Sequence, residues 1–346
     1  MTAMLCKECV AMVHAKVLIP FFPLVLLGAV LRATPQPTTY TRATGLYECS
    51  VWHTNLRAQL HNILGFDPHI SAIMHARTTT KTPVITVLGF PDPADMYVGK
   101  FDTQNTFTVT FRFQNTSTWE WVFNPFSLAR SIASLNCGQE KDAQTLLCAV
   151  IECYKKGHRK VHIFANSRGG ATTITMLDML SHPEKHPQTW ALFGITDAAT
   201  HAALREMVAH GSIVLAHPLM HYDAAIKNSI ATLTAKIYPF ADAAPLQEML
   251  YTWGHAFLKK FTRYDCSFPA PITTLMNSIS QACWPYHITI ALADYDNLVG
   301  HNHEQMLNYL AGLYPDKLKV ISGGKHHFDI KQCLKEAREA WASENV

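Results

Sequence analysis

Residues 161–171, with the sequence VHIFANSRGGA, restrict the fold of this chain more than any other segment. A short apolar run rich in β-branched residues ends at Ala165, one serine follows, and two glycines lead into residues 171–177, which have a helical pattern. This order predicts a strand, a very tight turn and a helix, with Ser167 at the apex of the turn. Such a turn lifts the serine oxygen above the sheet and places the backbone N–H of Arg168 beside it.

Strands and helices alternate along most of the chain. Between residues 139 and 155, apolar side chains recur every three or four positions, from Ala143 to Tyr154, as one stripe of an amphipathic helix. Most of the predicted strands are continuously apolar, which is typical of a mostly parallel sheet covered on both faces. The predicted strands are residues 71–77, 83–90, 106–112, 161–165, 190–195, 287–293 and 318–322, and the predicted helices are residues 56–64, 139–155, 171–177, 304–313 and 330–341.

Composition excludes several classes of function. The chain has 346 residues, enough for one large α/β domain or two smaller ones, and its net charge of +3 is too small and too dispersed for a nucleic-acid-binding protein. Cys6 and Cys9 have C-x-x-C spacing without a partner pair, so we predict no metal and no cofactor. His301 and His303 are interpreted as the solvated start of a helix, and His162 as a hydrogen-bonded core residue.

The N-terminal segment has the pattern of an export signal. Lys16 precedes an uncharged run of 14 residues, 17–30, which is shorter than the ~20 residues of a membrane span. We therefore predict that residues 1–33 are a signal peptide, with an uncleaved N-terminal anchor as the alternative. Residues 34–44, rich in Pro and Thr, are predicted to be a linker.

Removal of this leader would leave seven of the nine cysteines, an odd number, so at least one thiol is predicted to be free. A disulfide between Cys266 and Cys283 is one open pairing that the sequence does not decide. Cys148 and Cys153 lie off the apolar stripe of their helix and are interpreted as unpaired.

The segment around Ser167 resembles the nucleophile elbow of the α/β-hydrolase family, G-x-S-x-G, with Ala165 in place of the first glycine. In that family an acid and then a histidine follow the serine, each after a later strand. Strand 287–293 runs into a segment similar to the family's G-x-x-D-x-x-V turn, which indicates Asp296 as the acid and Asp294 as the alternative.

The last predicted strand leads into Gly323-Gly324-Lys325 and two adjacent histidines. The resemblance places the catalytic base in this loop. The family's G-x-H-x-F spacing favours His326, and His327 is the alternative.

The resemblance also implies two backbone N–H donors for the oxyanion of a tetrahedral intermediate. One is the amide of Arg168, directly after the nucleophile. The other is the amide of Phe90, after strand 83–90, where this chain has Leu88-Gly89 and the family usually has His-Gly.

The resemblance implies an α/β-hydrolase fold, with a mostly parallel sheet flanked by helices. Residues 45–197 and 281–346 are expected to form the core, and residues 198–280 an inserted helical cap. The implied activity is that of an exported serine hydrolase, esterase-like or lipase-like, acting on a small-molecule or lipid acyl ester through an acyl-enzyme. An inactive binding protein of the same fold, or a peptidase, thioesterase or acyltransferase with the same triad, remains an alternative, as does membrane association through the N-terminal segment.

Overall fold

The computed structural model describes residues 46–51, 70–75, 82–87, 89, 106–109, 136–237, 244–261, 264–293 and 303–324. The predicted leader, the linker and helices 56–64 and 330–341 lie outside these residues. Within the described residues one sheet has eight strands: β1 (Leu46–Val51), β2 (Ile70–His75), β3 (Val84–Val87), β4 (Thr106–Val109), β5 (His162–Asn166), β6 (Ile213–Ala216), β7 (Ile288–Ala293) and β8 (Leu318–Gly324).

The strands lie in the order β1-β2-β4-β3-β5-β6-β7-β8. β1 pairs with β2, and β2 with β4, in antiparallel orientation. The five remaining pairings, from β4 across to β8, are parallel. The sheet is therefore mostly parallel, as predicted, and β5 lies near its centre.

Helices flank this sheet and connect its parallel strands. Among the described residues, no helix combines the length and the apolar character needed to span a membrane. The α-helices are α1 (Glu140–Lys155), α2 (Arg168–Ser181), α3 (Pro187–Phe193), α4 (Ala198–Ala209), α5 (Tyr222–Ile237), α6 (Ala244–Phe261), α7 (Pro271–Ile279) and α8 (Glu304–Leu313).

α1 is buried around most of its circumference. The predicted stripe is buried except at Tyr154, which is half-buried, but polar positions off the stripe such as Asp142 and Gln144 are buried as well. The reason is that α1 packs against α2 and α4 and also contacts β1 and β2. A helix covered on several faces needs partners for its buried polar groups, and these partners are part of the site described below.

The central strands are buried on both faces, as parallel strands between helical layers must be. His162, a polar residue at the start of β5, is half-buried, and its Nδ1 accepts a hydrogen bond of 3.0 Å from the backbone N–H of Ser212. Burial, helped by the charge of Lys160, lowers the pKa of His162 to about 4. The predicted hydrogen bond is confirmed, but the side chain is half-buried and is not part of the core.

The predicted strand at residues 190–195 is wrong, because the chain forms α3 there. Pro187 begins this helix, and Gly194 follows it with a left-handed φ of 68°. The N–H groups of Gly194 and Ile195 return to the carbonyls of Ala191 and Trp190, a Schellman motif that ends the helix. A six-residue apolar run does not distinguish a strand from a short helix by its periodicity.

The prediction of a helical cap over residues 198–280 is wrong at residues 213–216. These residues form β6, which is buried and pairs with β5 and β7. α4 also packs on α1 and α2, so it belongs to the layers around the sheet. A run of only four apolar residues between Gly211 and Pro218 is too short to indicate a strand within a long interval of helical pattern. A cap formed by the residues after β6 stays a prediction.

The cysteines differ from the interpretation in one respect. Cys148 is disulfide-bonded, whereas it was expected to be unpaired. Because α1 is covered on several faces, a cysteine off its apolar stripe still lies against neighbouring chain. Cys153 is free and buried, and Cys266 and Cys283 are both free, so the open pairing between these two does not form.

Gly211 is needed where the turn from α4 to β6 crosses the start of β5. A methyl group there would overlap the backbone carbonyl of Val161. We predict that Gly211→Ala lowers the free energy of unfolding by about 3 kcal/mol or more, because backbone atoms cannot move aside as a side chain can. Urea denaturation of the full chain measures this change.

Gly312→Ala is the matched control, because nothing lies within 4 Å of a Cβ built at that helical glycine. It should keep the stability or raise it by up to about 1 kcal/mol, since Ala is the better helix former. Equal stabilities for the two variants would contradict the close approach of Gly211 to the carbonyl of Val161.

Candidate active site

Ser167 occupies the single residue between β5 and α2. Its backbone has φ 48° and ψ −112°, a conformation that residues with a side chain rarely adopt. The strand ends at Asn166 and the helix begins at Arg168, so no other residue takes up the change of direction. The predicted strand, turn and helix with a serine at the apex are confirmed.

Three backbone hydrogen bonds hold the turn, with partners in β6, in the loop after β6 and in the first turn of α2. The N–H of Ser167 donates to the carbonyl of Ala216 at the end of β6, at 2.9 Å. The Ser167 carbonyl accepts from Gly170 and Leu219, also at 2.9 Å each. Both backbone polar groups of Ser167, the N–H and the carbonyl, are therefore hydrogen-bonded. Ala165, where the family pattern has glycine, is fully buried in β5 and fits without a glycine.

Two glycines let neighbouring segments approach the start of α2. A Cβ at Gly170 would lie 2.8 Å from Cα of Pro218, in the loop after β6. Gly138, with φ 86°, approaches from the other side, and a Cβ there would lie 2.5 Å from Cβ of Ala171. The first turn of α2 is thus packed between two loops at distances that only glycine permits.

The side chain of Arg168 forms a buried ion pair with Asp142 of α1. Nε donates to Oδ2 and Nη2 donates to Oδ1, each at 2.7 Å, and both side chains are almost fully buried. Asp142 also accepts the backbone N–H of Gly138 at 2.6 Å. This two-pronged contact fixes the residue directly after the serine.

Sequence reasoning considered only the amide of Arg168 and missed Asp142, Asn136 and Gly138. Oδ1 of Asn136 accepts a hydrogen bond of 2.8 Å from the backbone N–H of Lys141, one of the N–H groups at the start of α1 that have no partner within the helix. An Asn with a Gly two positions later, before a helix, is a weak local signal for this loop. Nothing in the sequence pairs Asp142 with an arginine 26 positions later.

Cys137 is a second nucleophilic group close to this ion pair. Burial raises the pKa of its thiol to about 12, although the charge of Arg168 acts in the opposite direction. The thiol therefore stays protonated at neutral pH, and a protonated thiol is a weak nucleophile. Ser167 remains the candidate nucleophile at this end of the sheet.

The other predicted site residues, Phe90, Asp294, Asp296, His326 and His327, lie outside the described residues. The strands that precede them are described. β3 ends three residues before residue 90, β7 ends just before residue 294, and β8 ends two residues before residue 326. β3, β7 and β8 run parallel to β5, so all four strands end at the edge of the sheet where Ser167 lies.

The strand order, the antiparallel first strands and the strained serine between β5 and α2 decide the fold. The chain has an α/β-hydrolase fold. In this fold the edge formed by the carboxyl ends of the parallel strands carries the site, because ligands bind there in open α/β sheets.

Comparison with known proteins adds little to this assignment. No family model matches the chain, and no curated protein matches it. An esterase from Pyrococcus furiosus has 12% identity over 90% of this chain and 95% of its own, with a TM-score of 0.47. A bacterial membrane phospholipase A has 13% identity over 97% and 96%, with a TM-score of 0.42. An esterase from Pyrobaculum calidifontis has 12% identity over 95% and 91%, with a TM-score of 0.44. Because these TM-scores are below 0.5, the fold assignment rests on the chain's own topology.

Histidines near this edge do not form a metal site within the described residues, where no group of three or more His, Cys, Asp or Glu side chains is arranged to hold an ion. His303, expected to be solvated, is instead half-buried before α8 and stacks on His221 with 5.9 Å between ring centroids. Burial and the neighbouring His221 lower its pKa. His301 lies outside the described residues.

The ion pair beside the serine leads to a stability prediction. Asp142→Asn should lower the free energy of unfolding by about 3–5 kcal/mol, because the guanidinium of Arg168 would stay buried without its counter-charge. Chemical denaturation of the full chain measures the loss.

Glu152→Gln on the same helix is the matched control. It breaks the exposed ion pair of Glu152 with Lys155, which is worth about 0.5 kcal/mol or less. A loss for Asp142→Asn as small as that of the control would show that the buried pair is not what holds α1 and α2 together.

Proposed function

We propose that this chain is a serine hydrolase that cleaves carboxylic esters, with Ser167 as its nucleophile. The backbone conformation of Ser167 carries the proposal. A non-glycine residue at a positive φ costs about 1–3 kcal/mol, and such costs concentrate at functional sites. Here the strained residue is a serine at the carboxyl end of a central parallel strand, where an α/β sheet binds its ligands.

In the proposed reaction, Oγ of Ser167 attacks the ester carbonyl carbon while His326 takes the serine proton. The histidine then gives that proton to the departing alcohol, and an acyl-enzyme forms. Water, deprotonated by the same histidine, releases the acid and restores the serine. Asp296 holds the imidazole in the required tautomer. His327 and Asp294 are the alternative base and acid.

The amides of Arg168 and Phe90 are the proposed oxyanion donors. The orientation of the Arg168 side chain supports this role for its amide, because the guanidinium is bound to Asp142 and cannot turn toward the substrate. The amide is also the first of α2, and the N-terminal end of a helix favours a developing negative charge.

The proposed substrate is a small-molecule or lipid acyl ester, and the reaction needs no cofactor. Support comes from the apolar composition, with 48% hydrophobic residues, and from exposed apolar side chains on α6. Met249 is 43% exposed and Trp253 is 63% exposed. A surface of this kind suits contact with a greasy acyl chain better than with a polar substrate.

A fluorophosphonate probe and p-nitrophenyl butyrate test the nucleophile on the full chain. The wild-type protein should be labelled and should hydrolyse the ester, and Ser167→Ala should abolish labelling and lower kcat by about 10³-fold or more. Ser280→Ala removes an exposed hydroxyl and is the control, with unchanged rates. Equal labelling of wild type and Ser167→Ala, or an unlabelled but folded wild type, would refute the proposal, and the second outcome favours the inactive binding protein.

Single variants of both histidines and both aspartates assign the rest of the triad. His326→Ala and Asp296→Asn should each remove most of the activity, while His327→Ala and Asp294→Asn should keep it. The reverse pattern assigns the alternative residues. Thioester and peptide substrates measured in parallel separate ester hydrolysis from the other reactions of this machinery.

We also propose that the chain is exported, with residues 1–33 as a cleaved signal peptide. The disulfide at Cys148 supports this location, because disulfides persist in oxidising compartments. N-terminal sequencing of protein expressed with its own leader should find a mature start close to residue 34. An intact N-terminus in the membrane fraction would instead establish the uncleaved anchor.

A further inference from the structure

A second cluster of reactive side chains lies at the opposite end of α2 from Ser167. The Cys283 cluster consists of Asp178 and His182 at the end of α2, and Gln281 and Cys283 in the segment between α7 and β7. α2 has 14 residues, so about 20 Å separate the cluster from the serine at a rise of about 1.5 Å per residue. The proposed ester hydrolysis uses none of these side chains.

Asp178 orients the imidazole of His182. Its Oδ1 lies 3.0 Å from Nδ1 of His182 and accepts a 2.7 Å hydrogen bond from Oγ of Ser278. Its Oδ2 lies 3.3 Å from Nε2 of His186. Burial alone would raise the pKa of Asp178, but the hydrogen bonds from His186 and Ser278, with the charges of the two histidines, outweigh burial and lower it. The group facing Nδ1 is therefore a carboxylate, which only accepts hydrogen bonds and so favours the tautomer with the proton on Nδ1.

The other ring nitrogen of His182 faces the thiol. Nε2 lies 3.4 Å from Sγ of Cys283 and 2.6 Å from Oε1 of Gln281. The amide of Gln281 is held in this orientation because its Nε2 donates to the carbonyl of Asn277 at 2.7 Å. Each ring nitrogen of His182 thus faces an oxygen acceptor, on Asp178 at Nδ1 and on Gln281 at Nε2. Sγ of Cys283 also lies 3.6 Å from Oε1 of Gln281, so the imidazole and the amide oxygen both face the thiol.

Other ionisable groups surround the cluster without touching the sulfur of Cys283. Tyr286 is buried and contacts Ser181, and Arg205 faces Tyr286. The ammonium of Lys317 donates to the carbonyls of Ile279 and Gln281.

The described residues contain three other free cysteines, and their surroundings differ from those of Cys283. Burial raises the pKa of Cys137 and of Cys153 to about 12. Cys266 is exposed, but its sulfur lies 3.9 Å from the nearest ring nitrogen, on His255, and its pKa is raised. His255 also faces a carboxylate, with 3.6 Å between its Nε2 and Oδ1 of Asp223. Both contacts are shorter at Cys283, where the sulfur lies 3.4 Å from the imidazole and the imidazole lies 3.0 Å from its carboxylate, and this is the environment of a reactive cysteine.

We infer that Cys283 is an activated thiol and a modification site that exchanges with disulfides. His182 takes the proton of the thiol, and the sulfur attacks one sulfur of a small disulfide, R–S–S–R. A bond forms between Cys283 and that sulfur, the S–S bond of the reagent breaks, and R–S⁻ leaves with the electron pair. The disulfide is the oxidant, so the exchange needs no other redox partner.

The probe is 5,5′-dithiobis(2-nitrobenzoate), a disulfide, added to the folded full-length chain. Release of thionitrobenzoate gives the rate, and peptide mass spectrometry assigns each cysteine. Cys283 should form its mixed disulfide about 10-fold faster than Cys266, although Cys266 is the more exposed thiol. Equal rates at the two cysteines would overturn the inference without any variant.

His182→Asn tests the imidazole, and His186→Asn is its control, because His186 binds the same carboxylate but does not contact the sulfur. His182→Asn should lower the rate of mixed-disulfide formation at Cys283 by about 10-fold and leave the rate at Cys266 unchanged. His186→Asn should leave both rates unchanged. The buried Cys153 reports on folding, since it reacts only if the chain opens. An unchanged Cys283 rate in His182→Asn, with Cys153 protected, would mean that the cluster merely fastens α2 to α7.

If His182→Asn exposes Cys153, the wild-type comparison of Cys283 with Cys266 decides the question alone. Labelling of Ser167 by the fluorophosphonate is measured separately. Failure of either proposal therefore leaves the other intact.

Discussion

The left-handed backbone of Ser167 is the constraint on which the rest of the site depends. Its strain of about 1–3 kcal/mol has to be offset locally. The offset comes from three hydrogen bonds to the turn and from the ion pair of Arg168 with Asp142, which ties the next residue to α1. Because the turn has one residue, the end of β5 fixes the start of α2, and α2 in turn fixes the position of everything packed on it.

The buried ion pair also shapes the electrostatics of the edge. An arginine beside a nucleophile would ordinarily present a full positive charge to the substrate. Here the guanidinium is neutralised by a carboxylate within 2.7 Å and is shielded from solvent, and the proposed oxyanion donors are backbone amides instead. Fixed amides cost no reorganisation when charge develops, which is why they serve an oxyanion better than a mobile side chain does.

The parts of the structure that sequence predicts are those encoded over a few adjacent residues. The β5–turn–α2 unit is such a case, since apolar strand residues, a small residue and glycines follow one another directly. The predictions at α3 and β6 are wrong because runs of six and four apolar residues show no distinct periodicity. Tertiary packing decides whether such runs form a helix or a strand. The contacts of Asp142 with Arg168 and of His182 with Cys283 join residues 26 and 101 positions apart. Sequence spacing does not indicate such contacts, so the roles of Asp142 and of the Cys283 cluster are visible only in the folded structure.

One helix connects the two proposed nucleophiles, and its dipole has the right sign at both ends. The N-terminal end of α2, beside Ser167, favours the negative charge of an oxyanion. The C-terminal end favours positive charge, and His182 and His186 lie there. The helix dipole and the carboxylate of Asp178 therefore act on the imidazole of His182 with the same sign. Reversing the helix would disfavour both reactions, so the direction of α2 is itself part of the chemistry proposed for each end.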